Sequence, residues 1–228
     1  MKKFILTDET IEMFGVTLHR IKAVRSFGSV KEGDLGGFVE NEENISENLE
    51  AWVSGDAKVW GDAKVSGNAE VSGNAKVSGN AEVSGDAKVW GDAKVSGNAE
   101  VSGNAEVWGD AKVSGNAKVW GDAKVSGNAE VSGNAEVSGN AEVWGDAEVS
   151  GDAEVSGNAD YIVFKNWWSS GRYFTWTRSN NMWSVGCFYG TGEELIKKAY
   201  ADSEKSGREY ERVVRFVESI LEDEKNEK

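Results

Sequence analysis

Proline is absent from the chain, and cysteine and histidine occur once each. No apolar run reaches the length of a membrane span. Each scarcity excludes something. The lone Cys187 rules out an internal disulfide framework and any multi-cysteine metal cluster. Zinc needs clustered cysteine and histidine, so no metal site is expected. The opening MKKFILTDET lacks the apolar region of a signal peptide, and a cytoplasmic location without membrane contact is the expectation. Basic charge is scarce where the chain is most regular. Residues 53–160 carry eight lysines against eighteen carboxylates, most of the chain's net charge of −14. Such a field repels phosphate, so direct nucleic-acid binding by this segment is disfavoured.

What the chain has in abundance is a six-residue repeat. Valine stands at 53, 59, 65 and every sixth position through 155, eighteen times without a break. The unit is V-[SW]-G-[ND]-A-[KE]. A period of six suits neither an α-helix nor one flat strand. It suits a coiled sheet in which each hexad supplies one short strand and one corner. Val and Ala, two apart, point to the same side, and the Lys or Glu between them points out. Gly with Asn or Asp supplies the corner, because these residues tolerate positive φ.

An aliphatic residue every six, with a small residue two before it, resembles the hexapeptide-repeat family. That resemblance implies a mainly β fold: a left-handed parallel β-helix of triangular section with three hexads per coil, hence about six coils. The hand comes from the resemblance alone. Local physics favours right-handed crossovers, and a right-handed solenoid is the alternative. The flanks add to the likeness. GDLGGFVENEEN, the A-x-V-x-G hexads and GCFYGTGEEL together resemble solenoid proteins of phages, prophages and gut-type bacteria. The implied setting is the cytoplasm of a bacterial host.

The organisation read from the chain is threefold. Residues 1–50 form an N-terminal strand and cap, with TLHRIKAVRSF as the strand. Residues 51–160 form the solenoid. Residues 161–228 form a small α+β domain of strands followed by two helices, which caps the open coil. Its expected strands are YIVF, RYFTWTR and WSVGCF, the last holding Cys187 as a small buried hydrophobe. Thr191-Gly192-Glu193-Glu194 reads as a capping box. A second helix is expected after Gly207, with a frayed charged tail.

Three hexads per coil place residues eighteen apart in adjacent rungs. On one face Lys58, Lys76, Lys94 and Lys112 then stack, next to corners bearing Asp56, Asn74, Asp92 and Asp110. This is either a satisfied surface ladder or a shallow anion-binding strip. Trp90, Trp108 and Trp144 fall in one outward column that Ser126 interrupts. They either cover one another across rungs, dock a neighbouring subunit, or stack on a sugar or base. Trp60, Trp90 and Trp120 also recur every 30 residues, which marks sequence duplication. Trp167, Trp168 and Arg172 in KNWWSSGRYFTW form a second candidate contact, since one of the paired tryptophans should be exposed before the Ser-Ser-Gly turn.

No catalytic residues or cofactor are expected. The hexapeptide family is known for acyltransferases with a histidine base at a subunit interface, but His19 lies outside all eighteen hexads. The leading expectation is a non-catalytic structural or interaction protein, a rigid solenoid presenting a C-terminal binding domain to a protein partner or to itself, as in a homotrimer. An acyltransferase-like enzyme and an acidic nucleic-acid mimic are the alternatives.

Overall fold

The computed structural model describes residues 2–227. An antiparallel hairpin of β1 (Phe4–Met13) and β2 (Val16–Ala23) is followed by β3 (Leu35–Val39). Eighteen two-residue strands then run from β4 (Trp52–Val53) to β21 (Glu154–Val155) at six-residue intervals. They sort into three parallel sheets, one per face. β4, β7, β10, β13, β16 and β19 make the first face, and β6, β9, β12, β15, β18 and β21 the third. The second face holds β5, β8, β11, β14, β17 and β20, and β3, β2 and β1 extend it to nine strands. Residues eighteen apart pair in register throughout, as with Lys94↔Lys112 and Val95↔Val113. The fold is therefore a mainly β parallel solenoid, as the spacing predicts.

The hexad chemistry explains the coil. The valines and alanines are buried in one continuous core, each valine contributing about 2 kcal/mol of apolar burial. Corner glycines take left-handed φ, +70° at both Gly127 and Gly145. A Cβ on Gly127 would stand 3.0 Å from backbone atoms of Gly145 one rung on. The corner therefore excludes side chains for two separate reasons. Each hexad also directs N–H groups at the following coil: Lys94 to Ala111, Ser96 to Val113 and Asn98 to Gly115, at 2.9, 2.9 and 2.7 Å. Along one corner a side-chain ladder adds to this. Asn80, Asn98, Asn116 and Asn134 each donate to the next, and Asp152, which cannot donate, terminates it.

The solenoid has about seven turns, one more than the eighteen hexads make. The extra turn precedes them. Val39 pairs with Val59 and Ile45 bridges Val65, both at a spacing of twenty. The two residues beyond eighteen break the hexad rhythm before Val53. Part of the segment expected to cap the coil is thus itself coil.

At the far end β22 (Tyr161–Lys165), β23 (Tyr173–Thr177), β24 (Met182–Val185) and β25 (Phe188–Gly190) form an antiparallel sheet in chain order. Helices α1 (Gly192–Asp202) and α2 (Glu204–Asn226) follow. Alternation along the strands divides the sheet's labour. Trp176 and Trp183 pair across strands and enter a core with Leu195, Tyr210 and Val214. Thr175 and Ser184, one residue along, face the last coil. The capping box forms as expected: the Thr191 hydroxyl accepts from Glu194 N, and Thr191 N and the Thr191 hydroxyl donate to the Glu194 carboxylate and raise its acidity.

Several local expectations are corrected. WSVGCF is not one strand. Gly186, at φ +58°, turns the chain between β24 and β25 and leaves Cys187 exposed rather than buried. Gly207 does not precede the second helix but lies inside α2, where the Tyr200 ring leaves no room for a Cβ. The charged tail is helical to Asn226, held by the two-pronged Arg178–Glu224 pair at 2.6 and 3.0 Å. The N-terminal element is a hairpin rather than a single strand.

Candidate functional site

The N–H groups of the outward and corner residues aim forward, so the first hexad rung leaves their acceptor carbonyls for the preceding segment to meet, and the last rung leaves those N–H groups without a coil above. Unpaired edges of this kind invite strand addition. Both ends are closed by groups of matching polarity. At the start, Lys3 Nζ donates to Ala51 O (2.8 Å), Arg20 Nη1 to Gly55 O (3.2 Å), and Asn44 Nδ2 to both Gly61 O and Ala63 O (3.0 and 2.9 Å). Phe38 N and Ser46 N meet Ala57 O and Val65 O. At the end, one oxygen serves each face. Glu142 N donates to Asn158 Oδ1 (2.8 Å), Glu148 N to Thr175 Oγ1 (2.8 Å), and Glu154 N to Ser179 Oγ (2.7 Å). Tyr161 OH donates to Glu142 O at 2.7 Å. These are single-atom caps from side chains, so no further strand is seated on the last rung at those points.

Titratable groups at these ends are shifted. Burial lowers the Lys3 amine to about 8, opposed by the nearby Glu47 carboxylate. Burial raises the Glu148 carboxyl, against a hydrogen bond from Ser184. Burial also disfavours ionised Asp160. The Ser156 and Gly157 N–H groups and the Ser156 hydroxyl outweigh it and hold that carboxyl low.

Exposed large apolar side chains stand mostly in the terminal segments, Phe14 of the hairpin among them, and Trp144 is the one from the repeat among the described residues. Trp90 and Trp108 stack with ring centroids 5.0 Å apart and planes within 2°. Trp144, beyond the Ser126 interruption, is 67% exposed. The other repeat tryptophans behave differently. Trp60 lies beside Phe14 of the hairpin, while Trp52 is buried between Phe4 and Phe27 rather than outward.

The C-terminal pair is split by burial. Trp168 is 9% exposed and packs edge-on against Phe174 and Tyr210, and its Nε1 has no hydrogen-bond partner among the described residues. Trp167 is 70% exposed and stands edge-on to Trp168. Arg172 is exposed and lines a cavity of about 230 Å³ with Lys198, Asp202, Cys187 and Tyr210.

The four lysines pair in register, Lys58↔Lys76↔Lys94↔Lys112. Their relief does not come from the corner carboxylates. Lys58 donates to Asp56 O and sits 5.9 Å from the Phe38 ring centre, Lys112 is ion-paired with Glu130 on the next rung, and Asp92 accepts from Asn74 instead. Lys76 and Lys94 have no ion-pair partner among the described residues.

His19 Nδ1 lies 3.1 Å from Thr7 O on the neighbouring strand of the hairpin. Among the described residues no group of His, Cys, Asp and Glu is arranged to hold a metal, and no helix is long and apolar enough to cross a membrane. The capping oxygens escape sequence reasoning: Thr175 and Ser179 carry no periodic signal, and Asn158 continues the hexad pattern and so reads as one more corner. A scan against protein-family models finds no match to this chain, and a search of curated proteins finds none similar to it.

Proposed function

We propose that the chain is a non-catalytic structural or interaction protein of the phage and prophage type, acting in the cytoplasm of a bacterial host. The solenoid, taken as left-handed from its hexapeptide likeness, serves as a rigid spacer. Its flank tryptophans and the C-terminal domain meet a protein partner or further copies of the chain. Nucleic acid and membrane are not its direct targets. One observation carries the reading: both ends of the coil are closed by the chain's own polar groups, while Trp144 and Trp167 remain 67% and 70% exposed. A large aromatic that the caps leave exposed marks a contact surface more often than a structural need.

The test is affinity capture from the native host combined with light scattering, on the parent chain and on Trp144→Ser and Trp167→Ala. The proposal expects a stoichiometric complex or oligomer that at least one substitution dissolves. A monomer without partners, or a complex indifferent to both substitutions, refutes it.

A further inference from the structure

The tryptophan column has a vacancy of definite size. Trp90 and Trp108 occupy adjacent rungs and stack in parallel at 5.0 Å. The next rung carries Ser126, and the one after it Trp144. The register is unbroken across all of them: Val107 pairs with Val125 and Val125 with Val143. The walls of the gap, Trp108 and Trp144, are therefore two rungs apart, about 9.6 Å. One flat group at mid-gap would lie about 4.8 Å from each wall, close to the spacing between Trp90 and Trp108.

The rim decides the charge of that group. Glu106 and Asp110 stand two residues either side of Trp108, and Glu142 and Asp146 two either side of Trp144. Lys124 and Asn128 hold the equivalent places at the serine rung, and both lean toward the same neighbours. Lys124 lies 3.6 Å from the Glu142 carboxylate, and Asn128 donates to Asp146 at 3.0 Å. Glu106 and Asp110 have no side-chain partner among the described residues. The gap is thus flanked in the column by Trp108 and Trp144 and rimmed by four carboxylates, of which Glu142 is ion-paired with Lys124, Asp146 accepts from Asn128, and Glu106 and Asp110 stay open. The repeat itself contains no arginine to fill it.

We propose that the gap over Ser126 receives an arginine side chain from a basic partner. A guanidinium is flat, always charged, stacks on indole faces and forks toward carboxylates, whereas a lysine ammonium has no plane to place between the rings. The same carboxylates disfavour a nucleotide, whose phosphates they repel, and offer a neutral sugar hydrogen-bond acceptors but no charge attraction. This assignment rests on the column being an interaction surface, and it names the chemistry that surface recognises.

The experiment follows the indole N–H signals of the full chain by NMR during titration with Gly-Arg-Gly, Gly-Lys-Gly, adenosine monophosphate and glucose. Single-tryptophan substitutions assign the signals. The arginine peptide is expected to shift Trp108 and Trp144 while Trp60 and Trp120 stay fixed, with affinity at least about threefold above that of the lysine peptide. Ser126→Trp continues the stack with a side chain the hexad already accepts elsewhere, and should abolish the shift at unchanged circular dichroism. Trp108→Ser removes one wall and should abolish it too.

Three results overturn the proposal: no shift with the arginine peptide, equal response to lysine, or a response to nucleotide or sugar alone. Retained binding in Ser126→Trp overturns it as well. If the arginine response is absent while Trp144→Ser still dissolves a captured complex, the arginine assignment falls and the interaction reading stands.

Discussion

Substituting alanine for Gly127 and for Gly145 separates the two reasons the corners are glycine. Both residues have φ of +70° in the same corner column, one rung apart. In the left-handed region an L-residue costs about 1–2 kcal/mol, and alanine recovers about 0.4–1 kcal/mol by restricting the unfolded chain. Those contributions are common to both variants. The surroundings are not. A Cβ on Gly145 meets nothing within 4 Å, whereas one on Gly127 stands 3.0 Å from both Gly145 N and Gly145 O. Backbone cannot swing aside as a side-chain tip can. The rungs must part locally, weakening the 2.8 Å bond from Asn128 N to Gly145 O. Leaving that bond poorly made costs about 1–3 kcal/mol. Gly145→Ala should therefore lose about 0–1.6 kcal/mol, and Gly127→Ala about 1–3 kcal/mol more. Guanidinium unfolding followed by tryptophan fluorescence and circular dichroism measures both. Equal losses would show that backbone conformation alone selects glycine, and the argument from rung contact would be wrong.

Two other perturbations probe the ends. Thr175→Val preserves shape but removes the acceptor for Glu148 N, and should lower stability by about 1–3 kcal/mol; Thr175→Ser, which keeps an oxygen, should lose less. Lys3 makes the N-terminal end sensitive to pH. Its folded pKa of about 8 lies below its ordinary 10.5, so between those values the unfolded chain holds more protons and stability rises with pH. The gain is complete above about 10.5, is lost as pH falls to about 8, and reaches about 3 kcal/mol at most. Lys3→Met should flatten this difference in denaturant melts run across that window. An unchanged slope would mean that the amine is not desolvated.

The sequence made the coil legible because its information is periodic. Eighteen valines at one spacing are all buried by a parallel coil, of whichever hand, and Thr191 with Glu194 announces a helix start by local chemistry alone. Where structure depends on distant segments meeting, the reading ran out. Trp52 follows the outward pattern of its face, yet Phe4 and Phe27 cover it from elements that no hexad rule describes. Trp168 and Trp167 are chemically identical neighbours, and only the arrival of Tyr210 from α2 decides which is buried. Cys187 sits in an apolar run, but one glycine with positive φ converts that run to a turn. The early turn was half visible: Val39 and Ile45 are six apart, and the longer step to Val53 hid their membership. Of the candidate contact residues, the phasing correctly put Trp90 next to Trp108. It could not foresee that the corner carboxylates would leave the lysine column to other partners.

The closing oxygens at the end of the coil follow directly from the last hexads in the chain, and this makes hexad number an angular variable. Adding one hexad would carry the whole C-terminal domain a third of a turn about the rod axis while lengthening the rod by only about 1.6 Å. Adding three would restore the original azimuth one rung further out. The hairpin at one end and the sheet-and-helix domain at the other are therefore set against each other like two hands on a dial with three positions. A duplication of 30 residues, five hexads, turns that dial by two positions. Copying sequence can thus re-aim Trp167 relative to the N-terminal hairpin without altering a single contact within either cap.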